Sequence, residues 1–594
     1  MEYITAQDLY QRIEEALATE AQGVANHILH DTLVLCCHEG LRHTRHAFGN
    51  LSSQVDYLCR DRHMAAQDVL AIQRMRRHSN SDEPLSPEDL GYDCRALVLF
   101  VSAVFQTSVP ASLVERIPAT GRAAQSSPIS SYTYLRCVVR SFDDETIHAT
   151  VVNQDCDEEV VTIDYRHTPD YIDFSYLTRI LQEGMTLNLL DCHREDERLI
   201  PGLIIVEPDY LLDISSIASC FEDYGHHPLL FTLHRLKERQ NSKHILLGNF
   251  AGSALDDLIN HAQYRFADTL QRNFREKAIE YACCPNFDPS EFKKLAESQV
   301  NNMQAVVAEL FGRYNKEKAI LEPSFICEKL GIQGRVDLMT TDLQLLVEQK
   351  SGQNYFLKRH TRNRYGSLHV EKHYVQVLLY FGVLSYNFGL SPKHADIYLL
   401  YSKYPLPDGL MQVEPLRKLL REALKYRNQV VALEYWMAFH GLERILPHLH
   451  VSTLNTEHLD DYFFHAYLQP QIEAVTTPLQ TMKPLERAYF CRMMRFVMRE
   501  QIVAKVGAQE GVGSAGADLW NMPLSMKRET GNIFTRLRIV DKKSDGTGGY
   551  DTLTLLIPKQ EDDFLPNFRR GDMVYLYAYD QDKAPDVRRS ILHK

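Results

Sequence analysis

The stretch with the clearest capacity for chemistry reads Gly331-Ile-Gln-Gly-Arg-Val-Asp337, then ten residues, then Glu348-Gln-Lys350-Ser-Gly352. Both halves have strand composition. Glu348 and Lys350 stand two apart and so share one face of a strand, and a hairpin sets Asp337 beside them. Two carboxylates converging on one point repel unless a hard divalent cation lies between them. An ammonium next to that cation can hold and orient a water. This is the inventory for phosphodiester hydrolysis assisted by Mg²⁺ or Mn²⁺, with Asp337 and Glu348 as ligands and Lys350 on the water. The plain alternative is a surface hairpin bearing two carboxylates and a lysine.

Two further groups follow. Gln376 and Tyr380 are four apart in a helical stretch and share its face. Lys358, Arg359, Arg362, Arg364 and Lys372 form a basic run opposed only by Glu371. Next to a metal site such a run reads as a phosphate clamp, and Tyr355 and Tyr365 flank it as platforms for bases. A solvated charged face is the alternative.

Positioning these residues requires a mixed α/β core. Helical periodicity runs from 229 to 310, strands are expected at 331–337 and 343–349, a helix at 373–388 and a strand at 395–401. Around this core the chain divides into an N-terminal helical module over 1–125, a β-barrel over 126–225, the core over 226–410, helices over 411–506, a glycine-rich linker over 507–530 and a second small barrel over 531–594. The first barrel rests on short strand-like segments at 134–142, 148–153, 159–165, 186–190 and 199–206. Their texture suggests an OB-type barrel, which binds single strands through stacking and cationic edges; a spacer barrel fits the same pattern.

Composition narrows the classes. The chain has 594 residues, too many for one core. Hydrophobic residues make up 44% and charged residues 24%, ordinary for globular proteins, and 65 Lys+Arg against 78 Asp+Glu leave a formal charge of −13. A basic coat for nucleic acid is thereby excluded, and any polyanion site must be a local patch. No apolar run is long enough to span a membrane, and no secretory signal opens the chain. Twelve cysteines without a C-x2-C motif suit reduced thiols in an intracellular compartment, either cytoplasmic or nucleoid-associated if the source is prokaryotic.

The Asp337, Glu348, Lys350 pattern resembles the PD-(D/E)XK nuclease superfamily, RecB-like branch, which also carries Gln and Tyr on the following helix, here Gln376 and Tyr380. Ile205-Val-Glu-Pro-Asp-Tyr210, Ser215–Ser219, Leu246-Leu-Gly248 and Glu322 are similar, in order, to the Dna-two nuclease–helicases, which trim DNA flaps and resected ends. The resemblance covers about residues 131–594. It implies a restriction-endonuclease-like core, a Gln349 carbonyl completing the metal shell, DNA as partner, and a helicase in cis or in trans.

Three departures are visible. Gly252 stands where the family often has a metal-binding His, and His261, nine residues on, points to another face. Only Cys491 lies beyond Lys350, so the family's iron–sulfur cluster is not expected. No G-x-x-x-x-G-K-[ST] is present and the sequence stops where a helicase would follow, so a piece of a longer protein without ATPase activity is expected. Two other readings share these residues. One is a non-cleaving DNA clamp serving a helicase, and the other is a defence nuclease of the CRISPR-adaptation kind, against which the extra barrels argue.

Overall fold

The computed structural model describes residues 4–19, 22–42, 51–80, 85–122, 131–152, 160–168, 172–238, 241–359, 363, 368–390, 394–507, 515–543, 552–560, 565–580 and 585–592. The architecture is mixed α/β, with a closed five-stranded barrel.

The first 114 residues fold into five helices (Ala6–Ala18, Gln22–Gly40, Leu51–Asp61, Ala66–Ser79, Pro87–Phe105) and a helical turn, Ala111–Val114. Thr5 opens the first helix as the N-terminal half of a capping box with Asp8, which satisfies two otherwise orphaned backbone donors. Leu9, Ile13, Leu33, Leu58, Ile72, Leu97 and Val101 bury a core separate from the rest.

The barrel uses β1 (Ser131–Phe142), β2 (Thr146–Val151), β3 (Val160–Asp164), β4 (Thr186–Glu195) and β5 (Arg198–Ile200). The order is β1-β2-β3-β5-β4, and β4 pairs back onto β1 with Leu135 opposite Leu189. β3 and β5 run parallel and the other neighbours antiparallel. Alternate residues, among them Leu135, Cys137, Ile147, Ala149, Ile163, Leu187 and Leu189, fill the interior. The single strand expected over 199–206 is two. Gly202 breaks it, its N–H bonding to the Leu190 carbonyl at 2.9 Å, and β6 (Leu203–Val206) returns along β4.

β7 (Leu212–Asp213) leaves the barrel, and the short hairpin β8 (Phe221–Glu222) and β9 (Gly225–His226) follows. The main sheet contains β10 (Ala319–Leu321), β13 (Leu338–Thr340), β14 (Leu345–Lys350), β15 (Asp396–Tyr401) and β16 (Leu410–Gln412), in that order; β11 (Ser324–Cys327) and β12 (Ile332–Arg335) form a small sheet with β7. β14 and β15 are parallel, joined through the helix Glu371–Phe388. Side-chain alternation splits the packing. Leu345 and Val347 face the helices Lys243–Asn260 and Pro289–Arg313, whereas Leu346 faces the helix Glu371–Phe388.

Three expectations are corrected. The strand expected over 331–337 is broken. β12 ends at Arg335, β13 starts at Leu338, and Asp337 lies in the bend between two sheets. The region 507–530 contains two short helices, Asp518–Asn521 and Leu524–Glu529, anchored where the Trp520 indole N–H donates to Asp209 Oδ1 at 2.8 Å; its glycine-rich part, 508–514, lies outside the described residues. The second barrel over 531–594 is, among the described residues, a two-stranded ladder of β17 (Arg538–Lys543) and β18 (Thr552–Leu556). Every residue of β17 is exposed, so neither face supplies the apolar interior that closure requires.

Candidate active site

The register of β13 on β14 pairs Leu338 with Val347. One step further along this ladder Asp337 faces Glu348. Glu348 and Lys350, on alternate positions of β14, are on the side of the helix Glu371–Phe388. There the Lys350 ammonium donates to Glu348 Oε1 at 2.7 Å and to Gln376 Oε1 at 2.9 Å. The Gln376 amide also donates to Glu348 Oε1, at 2.6 Å. Three of the expected side chains thus form one closed hydrogen-bond ring. Tyr380, one turn on, donates its hydroxyl to the Arg335 carbonyl at 2.5 Å and so buttresses the bend that presents Asp337.

Gln349 points to the opposite face. Its backbone N–H donates to Asp337 Oδ2 at 2.6 Å, and its side-chain amide reaches Ser402 Oγ at 2.9 Å, which in turn donates to Gln299 Oε1 at 2.7 Å. That chain of bonds locks β14 to β15 beneath the carboxylates.

The electrostatics are those of an anionic site. Burial pushes Glu348 up to about 7, with the charge of Asp337 adding to it and Lys350 opposing. Burial also raises Asp337, against the pull of Lys350 and the Gln349 N–H and with a push from Glu322. Glu348 is only 3% exposed, yet its Oε2 is buried without a hydrogen-bond partner among the described residues. A buried carboxylate oxygen left unpaired is costly, and a cation is the partner that best offsets it.

Two more acids belong to this field. Asp256, on the helix Lys243–Asn260, is pushed up to about 8 by burial and by the charges of Glu322, Asp337 and Asp257. It stands one helical turn after Gly252, whose missing Cβ would meet nothing within 4 Å. Asp256 is not among the residues expected from the sequence, where its one mark is the four-residue spacing from Gly252. His261 ends the same helix and approaches Asp257 at 3.8 Å. Glu322 adopts φ +50°, in the left-handed region, with its N–H on the Asp337 carbonyl at 3.0 Å and its carboxylate on Arg335 at 2.9 Å. Non-glycine residues are held there only where surroundings over-determine them, which is common at functional sites.

The donor set suits a hard divalent cation that keeps several waters. Asp337, Glu348 and the Gln349 carbonyl would hold it. Among the described residues no three His, Cys, Asp or Glu side chains gather closely enough to hold a metal on their own.

The basic run is only partly assembled. Lys358 and Arg359 are exposed at the end of the helix Tyr355–Arg359, while Arg362, Arg364 and Tyr365 lie outside the described residues. Lys372 is paired with Glu222 at 3.2 Å. The Tyr355 hydroxyl donates to Asp223, and its ring packs on Phe356 with centroids 4.3 Å apart. Comparison of the chain with protein-family models and with curated proteins gave no match. No helix among the described residues is long and apolar enough to cross a membrane.

Proposed function

We propose that this chain is a metal-dependent deoxyribonuclease of the PD-(D/E)XK kind, the nuclease portion of a nuclease–helicase similar to the Dna-two family. It would hydrolyse phosphodiesters of single-stranded or flapped DNA in replication, repair or recombination. The observation that carries the reading is the unpartnered Glu348 Oε2, buried opposite Asp337 and beside Lys350.

A bound Mg²⁺ or Mn²⁺ would supply Lewis acidity toward a phosphoryl oxygen and make water more acidic. Lys350 presents its ammonium at the edge of the carboxylate pair, where it can orient the attacking water and stabilise developing negative charge. Gln376 holds Lys350 and Glu348 in register. Tyr380 fixes the backbone before Asp337. The barrel is read as OB-type, which its strand order and its parallel β3–β5 pair support.

The non-cleaving clamp remains the competing reading, and the open space at Gly252 favours it. A gel assay on 5′-flap, 3′-flap, single-stranded and duplex DNA, with and without Mg²⁺, separates the two. Cleavage that needs Mg²⁺ and is lost in Glu348→Gln and Asp337→Ala supports the nuclease. Binding without cleavage by the unsubstituted chain, or wild-type cutting by either variant, sinks the assigned site.

A further inference from the structure

A cleft of about 1590 Å³ lies apart from the carboxylates. It is walled by the helix Leu51–Asp61, the barrel turn 182–185 and the helices Arg417–His440 and Pro484–Val506. That volume exceeds a typical small-molecule pocket and suits a segment of a polymer. None of its lining residues belongs to the site described above.

Along one wall Arg492, Phe496 and Arg499 recur at i, i+4 and i+7, with Arg495 beside them. Across from them the C-terminal turns of the helix Arg417–His440 present Trp436 and Phe439. Trp436 is half-buried and stacks on His440 at a centroid distance of 5.1 Å. The Arg495 and Arg499 Nε–H groups both donate to the Ala438 carbonyl, at 3.2 and 2.9 Å. The unsatisfied carbonyls of a helix end thus fix both guanidinium groups, and each keeps further N–H donors for an incoming acceptor. The Arg499 guanidinium also lies 5.6 Å from the Phe439 ring centroid. Arg492 is exposed without a partner among the described residues, and Phe496 is 56% exposed.

Most acids of the lining are already answered. Glu183 pairs with Arg60 at 2.5 Å, Asp61 with Arg62 at 3.4 Å, and a Glu207 carboxylate oxygen accepts from the Thr186 N–H at 3.0 Å; Glu443 also lines the cleft. Guanidinium groups interleaved with aromatic rings recognise phosphates joined to planar bases, and they do so without reading sequence.

We propose that this cleft binds single-stranded nucleic acid, with bases stacked on Trp436 and Phe496 and phosphates on Arg492, Arg495 and Arg499. The proposal deepens the nuclease reading, on which it rests only for the purpose of the contact, by holding the strand away from the point of cleavage.

Trp436 and Trp520 are the chain's only tryptophans, so Trp520→Phe leaves a single reporter inside the cleft. Titrating that full-length variant with a short oligothymidylate in EDTA, where no cleavage occurs, should quench its fluorescence saturably. Arg492→Ala and Phe496→Ala, both at exposed positions, should each weaken binding at least about fivefold. Arg492→Ala should also lower the salt slope by about 0.7. If Trp520→Phe does not fold, the difference between the unsubstituted chain and Trp436→Phe gives the same readout. Absence of saturable quenching, unchanged affinity in both alanine variants, or equal quenching by polyglutamate would each overturn the proposal, the last by making the cleft a site for acidic polypeptide. A chain that cuts DNA without quenching loses only this inference, and one that quenches without cutting loses only the nuclease reading.

Discussion

Asp256 is partly buried, and burial together with the charges of Glu322 and Asp337 pushes its carboxyl up to about 8. A bound cation would favour its charged form, and a neutral isostere keeps the shape while removing the charge that the cation would draw out. Asp256→Asn should therefore raise the Mg²⁺ concentration for half-maximal cleavage by about ten- to hundredfold, in line with groups that support metal ligands. A Mg²⁺ titration of cleavage rate checks this, and an unchanged half-maximal concentration would remove Asp256 from the site. Glu348, Lys350 and Gln376 were legible in the sequence because strand and helix periods decide which face each of them takes. Asp256 was not, because a carboxylate on an amphipathic helix reads as an ordinary solvent position. Only the approach of that helix to the Glu322 turn gives it meaning. The bond from the Tyr355 hydroxyl to Asp223 was not legible for the same reason, since the two are 132 residues apart in the chain.

Between elements, Arg427 does the joining. Fully buried, its guanidinium donates to the carbonyls of Val206, Glu207, Tyr210 and Gly331, which ties the end of the barrel to the turn before β12. Gly331 sits at φ +63°, and a Cβ there would lie 2.3 Å from Arg427 Nη2. Arg427→Met leaves several buried acceptors unpaired, at about 1–3 kcal/mol for each that water cannot reach, so a loss of about 3 kcal/mol or more is expected in urea denaturation. A loss below about 1 kcal/mol would contradict the role. In the helical module, His30 has a buried Nδ1 without a hydrogen bond among the described residues, and burial, aided by Arg76, holds its imidazole down at about 4. The folded side chain stays neutral while the unfolded one takes up a proton below about 6.5. Its contribution is complete above that pH and is lost as pH falls toward 4. Between pH 7 and 5 the unsubstituted chain should lose about 2 kcal/mol more than His30→Leu; equal losses would refute the assignment. The helices and barrel strands were legible because each has a clean apolar period. The bend at Asp337 was not, since Gly-Arg-Val-Asp continues strand composition through a change of sheet.

For the whole molecule, the −13 balance limits where a polyanion can be attracted. Neutralising Lys358, Arg359, Arg362 and Arg364 together should flatten the salt dependence of single-strand binding by about 3 log–log units, four contacts at about 0.7 each. A constant slope across salt titrations would mean that the basic run is a solvated face. The mixed α/β character and the barrel were readable from changes of texture along the chain. The far β region was not, because strand composition does not reveal whether enough buried surface exists to close a barrel. β7, the first strand after the barrel, pairs in parallel with β12, through Leu212 with Ile332 and Asp213 with Gln333. The barrel's exit is thus part of the scaffold that holds the bend before Asp337. A fragment begun at residue 226, the expected start of the α/β unit, would expose a bare strand edge beside Asp337 and Glu348. The smallest excisable fragment that keeps this site is therefore expected to start ahead of Leu212, and gene-level shuffling that replaces the barrel must retain Leu212 and Asp213 with the core.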